Sequence, residues 1–431
     1  MTPAQRTVLK CLLLSCAVSV FFGFFLELNM HDMMLDFRGL YYDTQCLFHH
    51  ADPYKPGEPL RAYLADGEQL LPSESGLRQD LTWDVYFPTA SIFIAPFVLL
   101  PWAPAHILWM ILTAASLVFA GFLMWNFSAN YSPLISGAMI CFILANSEIL
   151  FLLGNSAGII VCLCVIAVWC FLRDRFVWAG VICLAASLAI KPHDAGFVWL
   201  YFLLAGAPYR KRALQTLLAT AVLAVLAIIW ITPIAPHWLH ELRFNIVTAC
   251  GPNNPELTTA VRTGPSMIIN LQSVIYMIRD DPRIYNSVSY LVCGSLLLIW
   301  SVCTLKSRFS QRKIWLALAA VVPLTLLVTY HRPYDAKLLL LTVPACAMLW
   351  AEGGPIRWVA LAVNTAAIIF TSDIPLVILM LLYHDQHIST AWHFEQIFMA
   401  MLMRPTPLIL LAMSIFYLWM YMRRDLHRGL P

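Results

Sequence analysis

Charged side chains are scarce in this sequence: Asp, Glu, Lys and Arg together make up 12% of the 431 residues. An average soluble domain has about twice that share. Hydrophobic residues make up 60%, and the mean hydropathy is +0.73. These values exclude a soluble globular domain and predict a polytopic membrane protein. There is no basic tract, and the net charge is only +3, so nothing indicates a nucleic-acid partner.

Several sequence signatures are also missing. No GxxxxGK[ST] loop is present, which argues against ATP-driven transport. No motif places a nucleophilic Ser or Cys, and no segment repeats at a period of 20–50 residues. Cys162 and Cys164 lie in an apolar run without a partner pair, and His49 and His50 lack a helix-spaced histidine, so neither pair predicts a metal site. We therefore expect one membrane-embedded domain spanning residues 1–431.

Ten of the twelve cysteines fall in apolar runs, where they act as small packing residues. Only Cys46 and Cys250 fall in segments that we place outside the membrane. They can form a disulfide in an oxidising compartment or stay as two free thiols, and the sequence does not choose between these states.

Twelve apolar segments approach the length of a bilayer crossing, which predicts an all-α fold with about 12 transmembrane helices. We interpret the first as a retained helix rather than a cleaved signal, because its apolar run continues to Leu26. A further segment, 85–101, is apolar but contains three prolines. The twelve segments are 9–28, 105–125, 133–152, 156–172, 176–190, 194–207, 213–235, 287–305, 314–330, 337–351, 356–380 and 406–422.

The basic residues in the short connectors predict the orientation of these helices. Six basic clusters fall on the cytoplasmic side only if 85–101 does not cross completely, so we expect a re-entrant or half-crossing segment there. Both termini are then cytoplasmic. Two long loops, 29–84 and 236–286, are extracytoplasmic, and the aromatic residues of the first favour short interfacial helices. We expect a multi-pass protein of a bacterial plasma membrane.

The strongest polar signals fall on the predicted extracytoplasmic side. Asp32, Asp36 and Asp43 follow the first span, where a carboxylate can either be solvated at a helix end or accept a proton from an acceptor hydroxyl. The sequence pattern alone does not select one of the three. Arg38 can hold an anionic ligand or keep Asp36 ionised.

Two other sites on this side contain cations. Lys191 ends a span directly before Pro192, so it is either a snorkelling lysine or a cation fixed for a lipid phosphate. The segment "HRPYD" is either an ordinary polar turn or a place where His331 and Arg332 contact phosphate or sugar. Lower-ranked candidates for the site are Asp43, Tyr42, Asn155, Asp335 and Gln272.

Four stretches resemble glycosyltransferase family 87, a group of membrane enzymes with the GT-C fold that was once classified as a domain of unknown function. Asn155 stands where that family usually has Gln, and Pro88-Thr89 stands where it has two prolines. The stretches are "LDFRGLYYDTQCLFHHADPY" (Leu35–Tyr54), "YFPTASIFIAPFVLLP" (Tyr86–Pro101), Gly154–Pro192 and "NLQSVIYMI" (Asn270–Ile278).

The resemblance implies an inverting, mannosyltransferase-like hexosyltransferase of cell-envelope glycan biosynthesis. Its donor would be a polyprenyl-phosphate sugar, and its acceptor a glycan or glycolipid at the extracytoplasmic face. By position in the family pattern, Asp36 matches the catalytic base, and Lys191 matches a phosphate contact. The scheme requires no cofactor and leaves an accessory divalent cation open.

Two alternatives use the same residues without this chemistry. A transporter or flippase could move a polyprenyl-linked sugar or another anion, but such proteins usually show internal repeats and charges at mid-membrane. An inactive relative could act as a scaffold. The absence of a repeat and the collection of charges at one face favour an interfacial enzyme.

Overall fold

A computed structural model describes residues 34–70, 75–250, 268–307, 310–372 and 404–423, together with six positions between 7 and 17. Most of the predicted first span, and Asp32, lie outside these described residues. The described residues form helices and no strands, which confirms the all-α prediction for this part of the chain. Cys46 is a buried free thiol. The structure does not describe the side chain of Cys250, so the predicted choice between a disulfide and two free thiols stays open.

The helices are named here in chain order. They are α1 (Leu35–Phe48), α2 (Glu58–Ala65), α3 (Ser75–Asp80), α4 (Pro88–Val98), α5 (Trp102–Ser128), α6 (Pro133–Ala145), α7 (Glu148–Leu153), α8 (Ala157–Arg173), α9 (Val177–Ile190), α10 (Pro192–Leu204), α11 (Tyr209–Ile231), α12 (Trp238–Cys250), α13 (Leu271–Ile278), α14 (Pro282–Lys306), α15 (Gln311–Val328), a 3-10 helix (Pro333–Thr342), α16 (Val343–Glu352), α17 (Ile356–Phe370) and α18 (Pro405–Met422).

Seven helical stretches among the described residues are long and apolar enough to cross a membrane. Shorter apolar helices accompany them, among them α4, α8, α9 and α17. A multi-pass membrane protein is thereby confirmed, while the number of twelve crossings stays a prediction. The seven are α5, α6 with α7, α11, α14, α15, the 3-10 helix with α16, and α18.

Two predicted spans are less regular than expected. The span at 133–152 is interrupted between α6 and α7, where the Asn146 side chain donates to the Phe142 carbonyl and Lys337 donates to the carbonyl of Asn146. The span at 337–351 begins as a ten-residue 3-10 helix and becomes α-helical only at Val343. Pro344 lies in the first turn of α16, where a missing backbone N–H is tolerated.

The proline-containing segment 85–101 forms the short helix α4, which starts at Pro88 and contains Pro96. Its 11 residues rise about 16 Å, roughly half of the hydrocarbon thickness. This length suits the predicted half-crossing element, although its position in a membrane stays a prediction. Helix α4 packs against α1 and α11.

An aromatic cluster attaches α1 to the start of α5. The ring of Phe37 stacks on that of Trp109 with 4.5 Å between centroids, and Tyr41 packs edge-on against Trp102. The Tyr41 hydroxyl also donates to the carbonyl of Leu100 at 2.8 Å. The described part of segment 29–84 therefore contains helices, but α1 is packed into the protein core and does not lie on its surface as an interfacial helix would.

Candidate active site

A cavity of about 370 Å³ opens between α1, the segment after α3, the α9–α10 junction and the segment after α15. Ligand sites typically measure 300–1,000 Å³, so it is large enough for a small ligand. Its polar lining residues are Asp36, Asp43, Gln79, Asp80, Asn155, Lys191, His193, Thr329, Arg332 and Asp335. Aromatic and aliphatic side chains fill the gaps: Trp83, Val85, Tyr86, Phe87, Ile190, Ile246, Tyr330 and Tyr334.

Asp36 lies in the first turn of α1 and faces this cavity. Its Oδ2 accepts a hydrogen bond from the Asn155 side-chain amide. Burial raises the pKa of the Asp36 carboxyl, while Arg332, Asn155 and Lys191 act in the opposite direction. A raised pKa makes the carboxylate a stronger base than one at an exposed helix end.

The backbone around Asn155 fixes this contact. Gly154 adopts a left-handed conformation with φ +61°, and its carbonyl accepts a hydrogen bond from the Trp109 indole at 2.8 Å. An added Cβ at Gly154 would meet Met34 Sδ at 2.5 Å. The sequence therefore needs glycine here so that the α7–α8 turn can approach the start of α1.

Lys191 continues the polar chain that begins at Asp36. Its ammonium group donates to Asn155 Oδ1 and to Asp335 Oδ1, both at 2.9 Å. Asp335 Oδ2 in turn accepts from the backbone N–H of Arg332 at 2.8 Å. Four residues far apart in sequence thus form one continuous network, and Lys191 is buried within it.

The two predicted phosphate-binding residues of "HRPYD" occupy different places. Arg332 lines the cavity, and its Nε donates to the Tyr330 hydroxyl at 2.6 Å. His331 is fully buried, and its Nε2 lies 3.0 Å from Asp194 Oδ1. His331 is therefore a neighbour of the cavity wall and contributes nothing to its lining.

Three other predicted residues also lie outside the cavity lining. The Arg38 guanidinium stacks over the Trp102 ring at 4.7 Å, and Tyr42 packs edge-on against Tyr63. The Gln272 side chain donates to the carbonyl of Val328 at 3.1 Å. Arg332 and Lys191 are the cations that lower the pKa of Asp36. The predicted effect of Arg38 on the ionisation of Asp36 is therefore not supported.

Asp43 does line the cavity, on an acidic side that the sequence did not reveal. Burial, together with Asp84 and Asp80, raises the pKa of Asp43 well above its ordinary value. Burial also raises the pKa of Asp84 to about 7, with Asp52 contributing. No sequence motif contains Asp80 or Asp84. These two residues come close to Asp43 only because α3 and the segment after it fold back onto α1.

One group of side chains among the described residues has the composition of a metal site. His193, Asp194 and His331 each offer one ligand atom, and these atoms lie within 4.8 Å of one another. Residues 191–194 form the segment Lys-Pro-His-Asp, from which the sequence predicts a binding residue only at Lys191. Its histidine and aspartate gain meaning only when His331 is placed beside them.

The comparison with known families supports the resemblance seen in the sequence. Residues 85–329 match the sequence model of glycosyltransferase family 87, whereas no curated protein matches the chain. The match contains Asn155 and Lys191, and it excludes Asp36 and Asp335. It covers more than half of the sequence. The chain therefore belongs to glycosyltransferase family 87.

Proposed function

We propose that the protein is an inverting hexosyltransferase, mannosyltransferase-like, that takes its sugar from a polyprenyl-phosphate donor. The acceptor is a glycan or glycolipid at the extracytoplasmic face of the membrane. Membership of glycosyltransferase family 87 supports glycosyl transfer as the reaction type. The observation that carries the proposal further is the carboxylate of Asp36, which faces the cavity and accepts a hydrogen bond from Asn155.

In this proposal Asp36 acts as the general base. The acceptor hydroxyl gives its proton to the carboxylate while its oxygen attacks the anomeric carbon of the donor. The bond from that carbon to the phosphate oxygen breaks on the opposite face, so the configuration inverts and polyprenyl phosphate leaves. The Asn155 amide holds one carboxylate oxygen and leaves the other for the acceptor.

The cations of the cavity suit the departing phosphate. Arg332 is one of the lining residues, and guanidinium groups bind phosphate oxygens in a planar, bidentate manner. Lys191 lines the same wall, but its ammonium is shared with Asn155 and Asp335. We assign Arg332 and Lys191 together as the positive charges that stabilise the departing phosphate.

The apolar part of the cavity suits a lipid-linked donor. Val85, Phe87, Ile190 and Ile246 line it beside the polar groups. A polyprenyl chain is apolar and its phosphate is charged, so the donor needs both kinds of surface at adjacent places. A sugar nucleotide would need no such apolar wall.

The test uses purified protein in lipid with a panel of polyprenyl-phosphate sugars. We expect the wild type to release polyprenyl phosphate, and Asp36→Asn to lower turnover by about 10²–10⁴-fold, the usual contribution of a general base. Asp66→Asn is the matched control, since Asp66 is exposed on the same outer segment. Wild-type turnover by Asp36→Asn would refute the assignment of the base. Movement of the intact lipid-linked sugar without release of polyprenyl phosphate would identify a flippase.

A further inference from the structure

The start of α10 and the end of α15 bring together three potential metal ligands. His193 lines the cavity, while Asp194 and His331 are fully buried behind it. Nε2 of His331 and Oδ1 of Asp194 lie 3.0 Å apart and pair with each other, whereas Oδ2 of Asp194 lies 3.9 Å from the Lys191 ammonium, beyond hydrogen-bond distance. The buried Oδ2 of Asp194 therefore keeps an unused acceptor position, which is rare in proteins.

The acidic lining of the cavity also suits a bound cation, an argument that rests on the phosphate-containing donor of the proposed function. The lining has four carboxyl groups and only two cationic side chains. Asp194 adds another carboxyl group directly behind the wall. A phosphate-containing ligand is an anion, and this excess opposes its entry. The cations are Lys191 and Arg332, and the acids are Asp36, Asp43, Asp80 and Asp335.

We propose that His193, Asp194 and His331 bind one divalent transition-metal ion at the edge of the cavity. Two imidazole nitrogens and one carboxylate oxygen form a ligand set that suits Zn²⁺, Co²⁺ or Mn²⁺. Three protein ligands leave at least one coordination position open. Because His193 lines the cavity, an ion bound there would lie beside that cavity.

Backbone structure holds these three side chains near one another. Pro192 starts α10 directly after Lys191, so His193 and Asp194 both lie in its first turn. The backbone of His331 is held by the N–H of Ile269, which donates to its carbonyl at 3.0 Å. The rings of His193 and His331 already lie 5.0 Å apart between centroids. The three ligand atoms now lie within 4.8 Å of one another, and an ion with ligand distances of about 2.0–2.2 Å would draw them closer together.

Lys191 limits the affinity of this site. Its ammonium lies 3.9 Å from Asp194 Oδ2 and shares the negative charge of that carboxylate. Asp194 Oδ1 is the atom close to His331, so one oxygen can face the metal while the other faces Lys191. We therefore expect a metal that is removed by chelators rather than one held permanently.

The test measures metal binding directly, without reference to activity. The full chain, purified in detergent without a histidine tag, is treated with chelator and titrated with Co²⁺. We expect one Co²⁺ per chain and visible absorption bands of a nitrogen- and oxygen-ligated ion. His193→Ala should weaken Co²⁺ binding at least ~10-fold, since it removes a ligand. His193 is exposed, so this variant should fold, which thermal unfolding verifies.

His240→Ala is the matched control, because His240 is an exposed histidine of the outer helix α12. It should bind Co²⁺ as the wild type does. The proposal is overturned if the wild type binds no Co²⁺ above a detergent blank. It is equally overturned if His193→Ala binds as tightly as the wild type, or if both variants lose binding to the same extent.

Discussion

Lys191 offers the sharpest test of how the site is held together. Its side chain is 8% exposed and that of Asp335 is 3% exposed, and their charged atoms lie 2.9 Å apart. Lys191→Met keeps a similar volume but leaves the Asp335 carboxylate buried without its cation. Removing one partner of a buried ion pair costs about 3–5 kcal/mol. We expect the free energy of unfolding in detergent to fall by that amount.

Arg78→Met is the matched control, since Arg78 is an exposed cation on α3. We expect its free energy of unfolding to stay within about 0.5 kcal/mol of the wild type. A double-mutant cycle isolates the ion pair, with Asp335→Asn as the second change. Since Lys191→Met and Asp335→Asn remove opposite charges, the double variant should lose about 1–3 kcal/mol less than the sum of the two. An additive cycle, or a Lys191→Met variant as stable as Arg78→Met, would refute the reasoning.

Two further predictions concern the same region. Gly154→Ala should lower turnover and thermal stability, because its φ of +61° and the 2.5 Å approach of Met34 Sδ leave no room for a Cβ. Gly196→Ala, with nothing within 4 Å, is the control, and equal behaviour of the two variants would contradict the prediction. Burial raises the pKa of Asp84 to about 7, so the folded state holds this proton more tightly than the unfolded chain. Stability is then greatest in acid and falls as pH rises from about 4 to 7, by at most roughly 4 kcal/mol. Asp84→Asn should reduce this fall in unfolding measurements at pH 4.5 and 8, and an unchanged fall would contradict it.

The sequence by itself determined the class of the protein and the side chains of its site that belong to recognisable patterns. Membrane helices are local: a run of apolar residues is enough to identify one, which is why most predicted spans coincide with described helices. Asn155, Lys191 and Asp335 were likewise noticeable as polar groups at the ends of apolar runs. The exceptions were the interruption before Glu148 and the 3-10 helix at Pro333–Thr342, which an apolar run does not distinguish from a regular α-helix.

Only the tertiary structure decided which of these polar groups share one site. Lys191 and Asp335 are separated by 144 positions in sequence, yet their side chains form a buried ion pair. Arg38, two residues from Asp36, instead packs on aromatic rings. Proximity in sequence is a poor guide because side chains two positions apart on a helix do not share a face. The sequence therefore identified a membrane glycosyltransferase and its cations, and the packing of distant helix ends decided how those cations and carboxylates pair.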